Sequence, residues 1–137
     1  MALFFASVCA AGCGASTDAE LLVGKWALER VTEKVTPPSG TTTTNEMEGF
    51  EDQTMELGEN GRCRRTDRGS TWMGMWYVST DRHLVFSDTL SMTVVEDYVI
   101  GTLDKERLVC GKSYTHLDSV SGEQTRYSYV FAYSKRD

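Results

Sequence analysis

The stretch Leu21-Leu22-Val23-Gly24-Lys25-Trp26-Ala27-Leu28 decides how the rest of this chain is read. Alternation along it sets Leu22, Gly24, Trp26, Leu28 and Arg30 on one face of a strand and Lys25, Glu29 and Glu33 on the other. The tryptophan face is the one to bury. A glycine two residues before the ring lets the backbone approach closely, and so large a ring fills the end of a curled sheet. Arg30 then falls on the inner face, toward the end away from Trp26. Just upstream, Asp18-Ala19-Glu20-Leu21-Leu22 reads as one helical turn with Asp18 as N-cap, placed to plug that end.

Downstream, the chain breaks into short strands. Val35 to Met47 holds Pro37-Pro38-Ser39-Gly40 and four successive threonines, a composition that reads as a long loop, and such loops often carry function. Phe50 to Leu57 is a second strand with Met55 and Leu57 on one face, closed by the turn Gly58-Glu59-Asn60-Gly61. In the third, Arg62 to Thr66, alternation turns Arg62 and Arg64 outward, a solvated face rather than an anion site. The fourth, Thr71 to Ser79, repeats the opening as Gly74-Met75-Trp76 but is also apolar on its other face through Met73, Met75 and Tyr77. Such a strand is covered outside by a neighbouring segment or forms an interaction patch.

Leu84 and Phe86 point inward from the fifth strand, Arg82 to Phe86, with His83 exposed on the other side. Tyr98 and Ile100 continue the inner face from Met92 to Gly101, and Leu108 and Cys110 from Arg107 to His116. In the last strand Tyr127, Tyr129, Phe131 and Tyr133 alternate, the pattern of a core face. Eight strands in neighbouring hairpins can close on themselves and lose their edges. The expected fold is therefore all-β, an eight-stranded antiparallel up-and-down barrel preceded by a short helical turn. At 137 residues the chain fits one such domain, over residues 20–137. A net charge of −6 argues against general nucleic-acid binding, which needs an excess of Lys and Arg.

Met1 to Gly12 carries no charged side chain and includes Leu3, Phe4, Phe5 and Val8, as the hydrophobic region of a signal peptide does. The run ends in Ala10-Ala11-Gly12-Cys13, which resembles the lipobox of bacterial lipoproteins. That resemblance implies cleavage after residue 12, a lipidated Cys13, a tether over residues 13–19 and a place in the bacterial cell envelope, at the outer membrane. Cys9 is then removed, leaving Cys63 and Cys110. Exported thiols meet oxidising conditions and could join as a disulfide; left free and buried, each acts as a small hydrophobe. Nothing in the sequence sets their strands side by side.

The Leu21-to-Trp26 opening, the Phe50 to Gly61 hairpin, Gly74-x-Trp76 with Leu84 after it, and the pair Tyr98-x-Ile100 and Leu108 together resemble the lipocalin-like lipoproteins of Bacteroidetes-type bacteria. The resemblance covers roughly Glu20 to Lys135. It implies a calycin-type up-and-down barrel with the first tryptophan at its closed end and the loop between strands one and two overhanging an open mouth. It implies architecture more than activity.

Chemistry is hard to find in the residues. Cys110-Gly111-Lys112-Ser113 lacks the first glycine of a phosphate loop, for Glu106 stands there, and it lies in strand rather than between strand and helix. His83 and His116 are far apart, with no ligand at metal spacing, so no metal or cofactor is expected. Glu96 and Asp97 fall on opposite faces of a strand and cannot share a proton. With no positioned base, no catalytic activity is expected. The first functional expectation is a small apolar or amphipathic ligand held inside the barrel by Trp26, Leu28, Met55, Leu57, Trp76, Phe86, Tyr98, Tyr129 and Phe131, with Arg30 orienting its polar end. The second is a solid barrel that meets a protein partner through Met73, Met75 and Tyr77.

Overall fold

A computed structural model describes residues 18–50 and 52–136. The leader expected over residues 1–12, and the expected lipidation site Cys13, lie outside the described residues. Nine strands follow a short helix, α1, over residues 18–22. They are β1 (Gly24–Thr36), β2 (Thr43–Met47), β3 (Thr54–Leu57), β4 (Arg62–Asp67), β5 (Ser70–Val78), β6 (His83–Ser87), β7 (Val94–Leu103), β8 (Arg107–Leu117) and β9 (Gln124–Arg136). Each pairs antiparallel with its neighbour, and β9 returns to β1, so the sheet closes. β2 and β3 pair with successive halves of one edge of β1: Val31 to Val35 faces Met47 to Thr43, and Gly24 to Ala27 faces Leu57 to Thr54. They share one position, giving a closed barrel of eight strands with one extra.

That arrangement corrects two expectations. Val35 to Met47 is a hairpin and not a loop, because Thr43 and Thr44 pair along β1 while the prolines confine the turn to residues 37–42. The second strand starts at Thr54 and not at Phe50, since the chain leaves the sheet at Glu48 and Gly49, the latter with a φ of 93°.

A third correction concerns Arg30. Leu28 faces Tyr133 and Arg30 faces Ala132, so Glu29 is an extra residue, a β-bulge. Alternation inverts there. Val31, Glu33 and Val35 point inward beyond the bulge, opposite Phe131, Tyr129 and Tyr127, and Arg30 is exposed beside Glu46 at 3.6 Å.

The closed end is filled as the first strand implies. Trp26 is fully buried, and its Nε1 donates to the Leu22 carbonyl at 2.8 Å, which ties the ring to α1. Lys135 lies across the same ring, its Nζ 4.6 Å from the centroid and donating to the Leu21 carbonyl at 2.9 Å. Arg82 Nε donates to the Asp18 carboxylate at 2.8 Å and fastens α1 to the β5–β6 turn. Around this plug, Met55, Leu57, Cys63, Trp76, Leu84, Phe86, Tyr98, Ile100, Leu108 and Cys110 form one buried cluster. Trp72, unnoticed in the sequence reading, packs against it edge-on to Phe86 at 6.4 Å. Its ring folds over Gly74, where a Cβ would stand 2.2 Å from the indole. Cys63 and Cys110 are buried free thiols on strand positions four apart in the barrel order. Burial pushes the Cys110 thiol up to about 12 and raises Cys63 as well, so both stay protonated and unreactive.

The open end is lopsided. Pairing of β8 with β9 runs on to Leu117 and Gln124, and that of β1 with β9 to Thr36 and Arg126, whereas β7 parts from β8 beyond Val99 and Gly111. A four-stranded sheet, β2-β1-β9-β8, thus overhangs the closed barrel.

Candidate functional site

Three charged side chains cross the barrel where the packed core ends. Arg65 on β4 donates through Nη1 to Glu96 on β7, and Lys112 on β8 donates to the other Glu96 oxygen at 3.1 Å. β4 and β7 are not neighbours, so the first contact spans the interior. Alternation explains why these residues meet. Arg65 shares the inward face of β4 with Cys63, Glu96 that of β7 with Tyr98, and Lys112 that of β8 with Cys110. Both cations also lie over aromatic rings of the core: Arg65 4.5 Å from the Phe86 centroid, Lys112 5.2 Å from that of Tyr98.

The electrostatics keep Arg65 and Glu96 charged. Burial works against the Arg65 charge, but Tyr98 and Glu96 outweigh it and hold its pKa above the ordinary value. Burial likewise acts to raise Glu96, and the Arg65 charge and hydrogen bond, with help from Tyr98 and Lys112, overcome it and hold the carboxyl below 4.5. Desolvation pushes the Tyr98 hydroxyl well up, so it stays neutral and accepts from Arg65 Nη2 at 3.4 Å. Two cations therefore meet one carboxylate. Lys112 donates one hydrogen bond and has capacity for two more.

Above this bar, the overhanging sheet forms the wall of a cleft of about 400 Å³ lined by Leu28, Val31, Met47, Phe50, Gln53, Lys112, Tyr114, Tyr129 and Phe131. Tyr114 stacks on Tyr127 at 5.1 Å and on Tyr129 at 6.2 Å, and the Tyr129 hydroxyl donates to Glu33 at 2.9 Å. On the far side of the bar a second cleft, of about 360 Å³, is bordered by Arg65, Trp72, Val95 and Glu96.

Of the residues expected to hold a ligand, Leu28, Tyr129 and Phe131 line the larger cleft. Trp26, Met55, Leu57, Trp76, Phe86 and Tyr98 are packed in the core beneath it. Arg30 is outside the barrel and cannot orient anything within; it borders an outer groove of about 470 Å³ with Glu29, Glu48 and Arg107. The inward cations are Lys112, which borders the larger cleft, and Arg65, which borders the second. The signal for both was present, since each shares the parity of a cysteine read as inward.

Two readings of the outer face also change. His83 points outward but is only partly exposed, because Asp97 at 2.6 Å and Asp81 at 3.6 Å flank its ring. On β5, Met73 and Tyr77 are 63% and 49% exposed, and none of the described segments covers them. Among the described residues the covering expected for that strand is absent.

Set against protein-family models the chain finds no match, and it finds none among curated proteins.

Proposed function

We propose that this protein is a lipocalin-like binding module of the bacterial envelope, lipidated at Cys13, that takes one small amphipathic ligand in the cleft over the Arg65–Glu96–Lys112 bar. The observation that carries the reading is a cleft of about 400 Å³ with apolar and tyrosine walls, bordered by Lys112, which shares the Glu96 carboxylate with Arg65. The apolar part of the ligand lies against Val31, Met47, Phe131 and the tyrosines. Its acceptor or anionic end reaches the spare donors of Lys112, since charge-assisted hydrogen bonds are the strong ones.

A matched pair of probes tests this. Anilinonaphthalene sulfonate carries the anion, and N-phenyl-1-naphthylamine is the same ring system without it. Both should bind saturably at one site. Lys112→Met should weaken the sulfonate roughly tenfold, about 1.4 kcal/mol, and leave the neutral probe unchanged. Equal loss of both probes, or no saturable binding, would remove the reading.

A second reading has one observation in its favour, the uncovered Met73 and Tyr77 on β5 beside Arg64 and Arg62 of β4. It makes the outer wall a protein-interaction surface. Recovery of a partner from envelope extract by wild type, but not by a Met73, Met75 and Tyr77 triple alanine variant, would favour it.

A further inference from the structure

Eleven large apolar side chains among the described residues are substantially exposed, and seven of them sit on two hairpins at the open end. Leu90, Met92, Val94 and Val95 belong to the β6–β7 hairpin; Tyr114, Leu117 and Val120 belong to β8–β9. Single exposed aliphatics are ordinary on a protein surface, but a concentration on one side of a rim marks an interaction site.

The two turns are built alike. Asp88-Thr89-Leu90-Ser91-Met92-Thr93 and Asp118-Ser119-Val120-Ser121-Gly122-Glu123 share aspartate first, an aliphatic third and serine fourth. In each, the fifth residue has a positive φ, 59° at Met92 and 77° at Gly122. Its N–H donates to the aspartate carbonyl, at 2.9 Å in one turn and 2.8 Å in the other. The aspartate carboxylate accepts from the serine N–H at 3.2 Å in both. The serine hydroxyl accepts from the sixth residue's N–H at 3.3 and 3.2 Å. Leu90 and Val120 stand at the apices, 93% and 94% exposed. Met92 sits where its twin has glycine, a backbone position that disfavours side chains, so an apolar group is kept there at a cost in stability.

Shape selects what the apices meet. They are convex prongs, and neither cleft of the mouth is lined by Leu90, Met92, Leu117 or Val120. Two prongs offer far less than the roughly 800 Å² per partner that a stable protein interface buries. A fluid lipid surface needs no matching shape. The turns' own hydrogen bonds already satisfy most of their N–H groups, so leaving water strands few donors. Charge selects the lipid. Asp88, Asp118 and Glu123 border the tips and outnumber Arg126 on β9. The Ser91 hydroxyl holds Asp88, and the Val120 N–H holds Asp118, below the ordinary carboxylate range, which keeps both negative at neutral pH.

We propose that Leu90 and Val120 insert into the headgroup region of a zwitterionic lipid bilayer and set the mouth of the barrel against it. The tips stand on the end opposite α1, so in a chain held by Cys13, five residues before Asp18, they meet a bilayer facing the anchored one. Amphipathic molecules would then pass between bilayer and cleft without crossing open water.

The test uses the full chain carrying Cys13→Ser, so that no acyl chain contributes, with phosphatidylcholine vesicles. Leu90→Glu with Val120→Glu should lower co-flotation at least tenfold while the urea midpoint stays unchanged. In a separate Val120→Trp variant, added vesicles should shift the reporter's emission to the blue relative to the parent chain. Undiminished flotation of the double variant, an unshifted reporter, or binding that requires phosphatidylglycerol would each overturn the proposal.

Discussion

The closed and open halves of this barrel are made by the same strands under different rules. Below the Arg65–Glu96–Lys112 bar the inward side chains interlock and are almost inaccessible, with Trp26, Leu84 and Leu108 at 0% exposure. Above it, inward tyrosines of the overhanging sheet meet solvent, Tyr114 at 50%. A barrel of eight strands is narrow enough for side chains to fill, so room for a ligand opens only where the wall outruns its filling. The charged bar marks that boundary. It caps the apolar rings beneath and supplies the polar groups above.

The comparison breaks first if the closed half is not the seat of stability. Trp26→Ala should cost about 3–5 kcal/mol by urea denaturation, through a large cavity and the lost bond to α1. A cost near that of a surface substitution would show that the ring does not hold the plug.

The boundary is tested next. Glu96→Gln leaves Arg65 and Lys112 without their shared counter-charge and should cost about 1–3 kcal/mol near neutral pH. The folded Glu96 pKa lies below the ordinary 4.5, so its contribution is present in full above that value and is lost as pH falls through the lower folded value. Stability measured from pH 6 to pH 3 should therefore decline less steeply in Glu96→Gln than in wild type. Parallel curves would contradict the linkage.

Smaller effects belong to the open half. Tyr114→Ala should cost less than about 1 kcal/mol, since the ring is half exposed and stacks only on its neighbours, yet should weaken probe binding severalfold. The least effect of all is expected from reductant. With Cys63 and Cys110 free, dithiothreitol should leave the thermal midpoint unmoved, and a drop of several degrees would reveal a bridge.

Parity along the strands made the closed half readable from sequence. Gly24-x-Trp26 and Gly74-x-Trp76 identify the ring-filled end, and alternation within each strand sets Leu28, Phe86, Ile100 and Cys110 inward correctly. The same counting fails at Arg30 because a bulge adds one residue, and no feature of Leu28-Glu29-Arg30 announces where a register will slip. It was not carried far enough on β4 and β5, where Arg65 and Trp72 share the parity of Cys63 and Gly74. β2 was hidden for another reason. A run of threonine beside two prolines resembles a loop by composition, and only β1 supplies the edge that makes it a strand. The ionic bar depends on β4, β7 and β8 facing each other across a closed sheet, a relation that local pattern does not contain.

One measurement bears most directly on the division between filled and open halves: two-dimensional amide and indole resonances followed during titration with anilinonaphthalene sulfonate. Saturable shifts are expected at the Lys112, Tyr114 and Tyr129 amides, with the Trp26 indole N–H, bonded to Leu22, unmoved. Movement of the Trp26 indole with still amides at Lys112 and Tyr129 would place the ligand in the core and contradict that division.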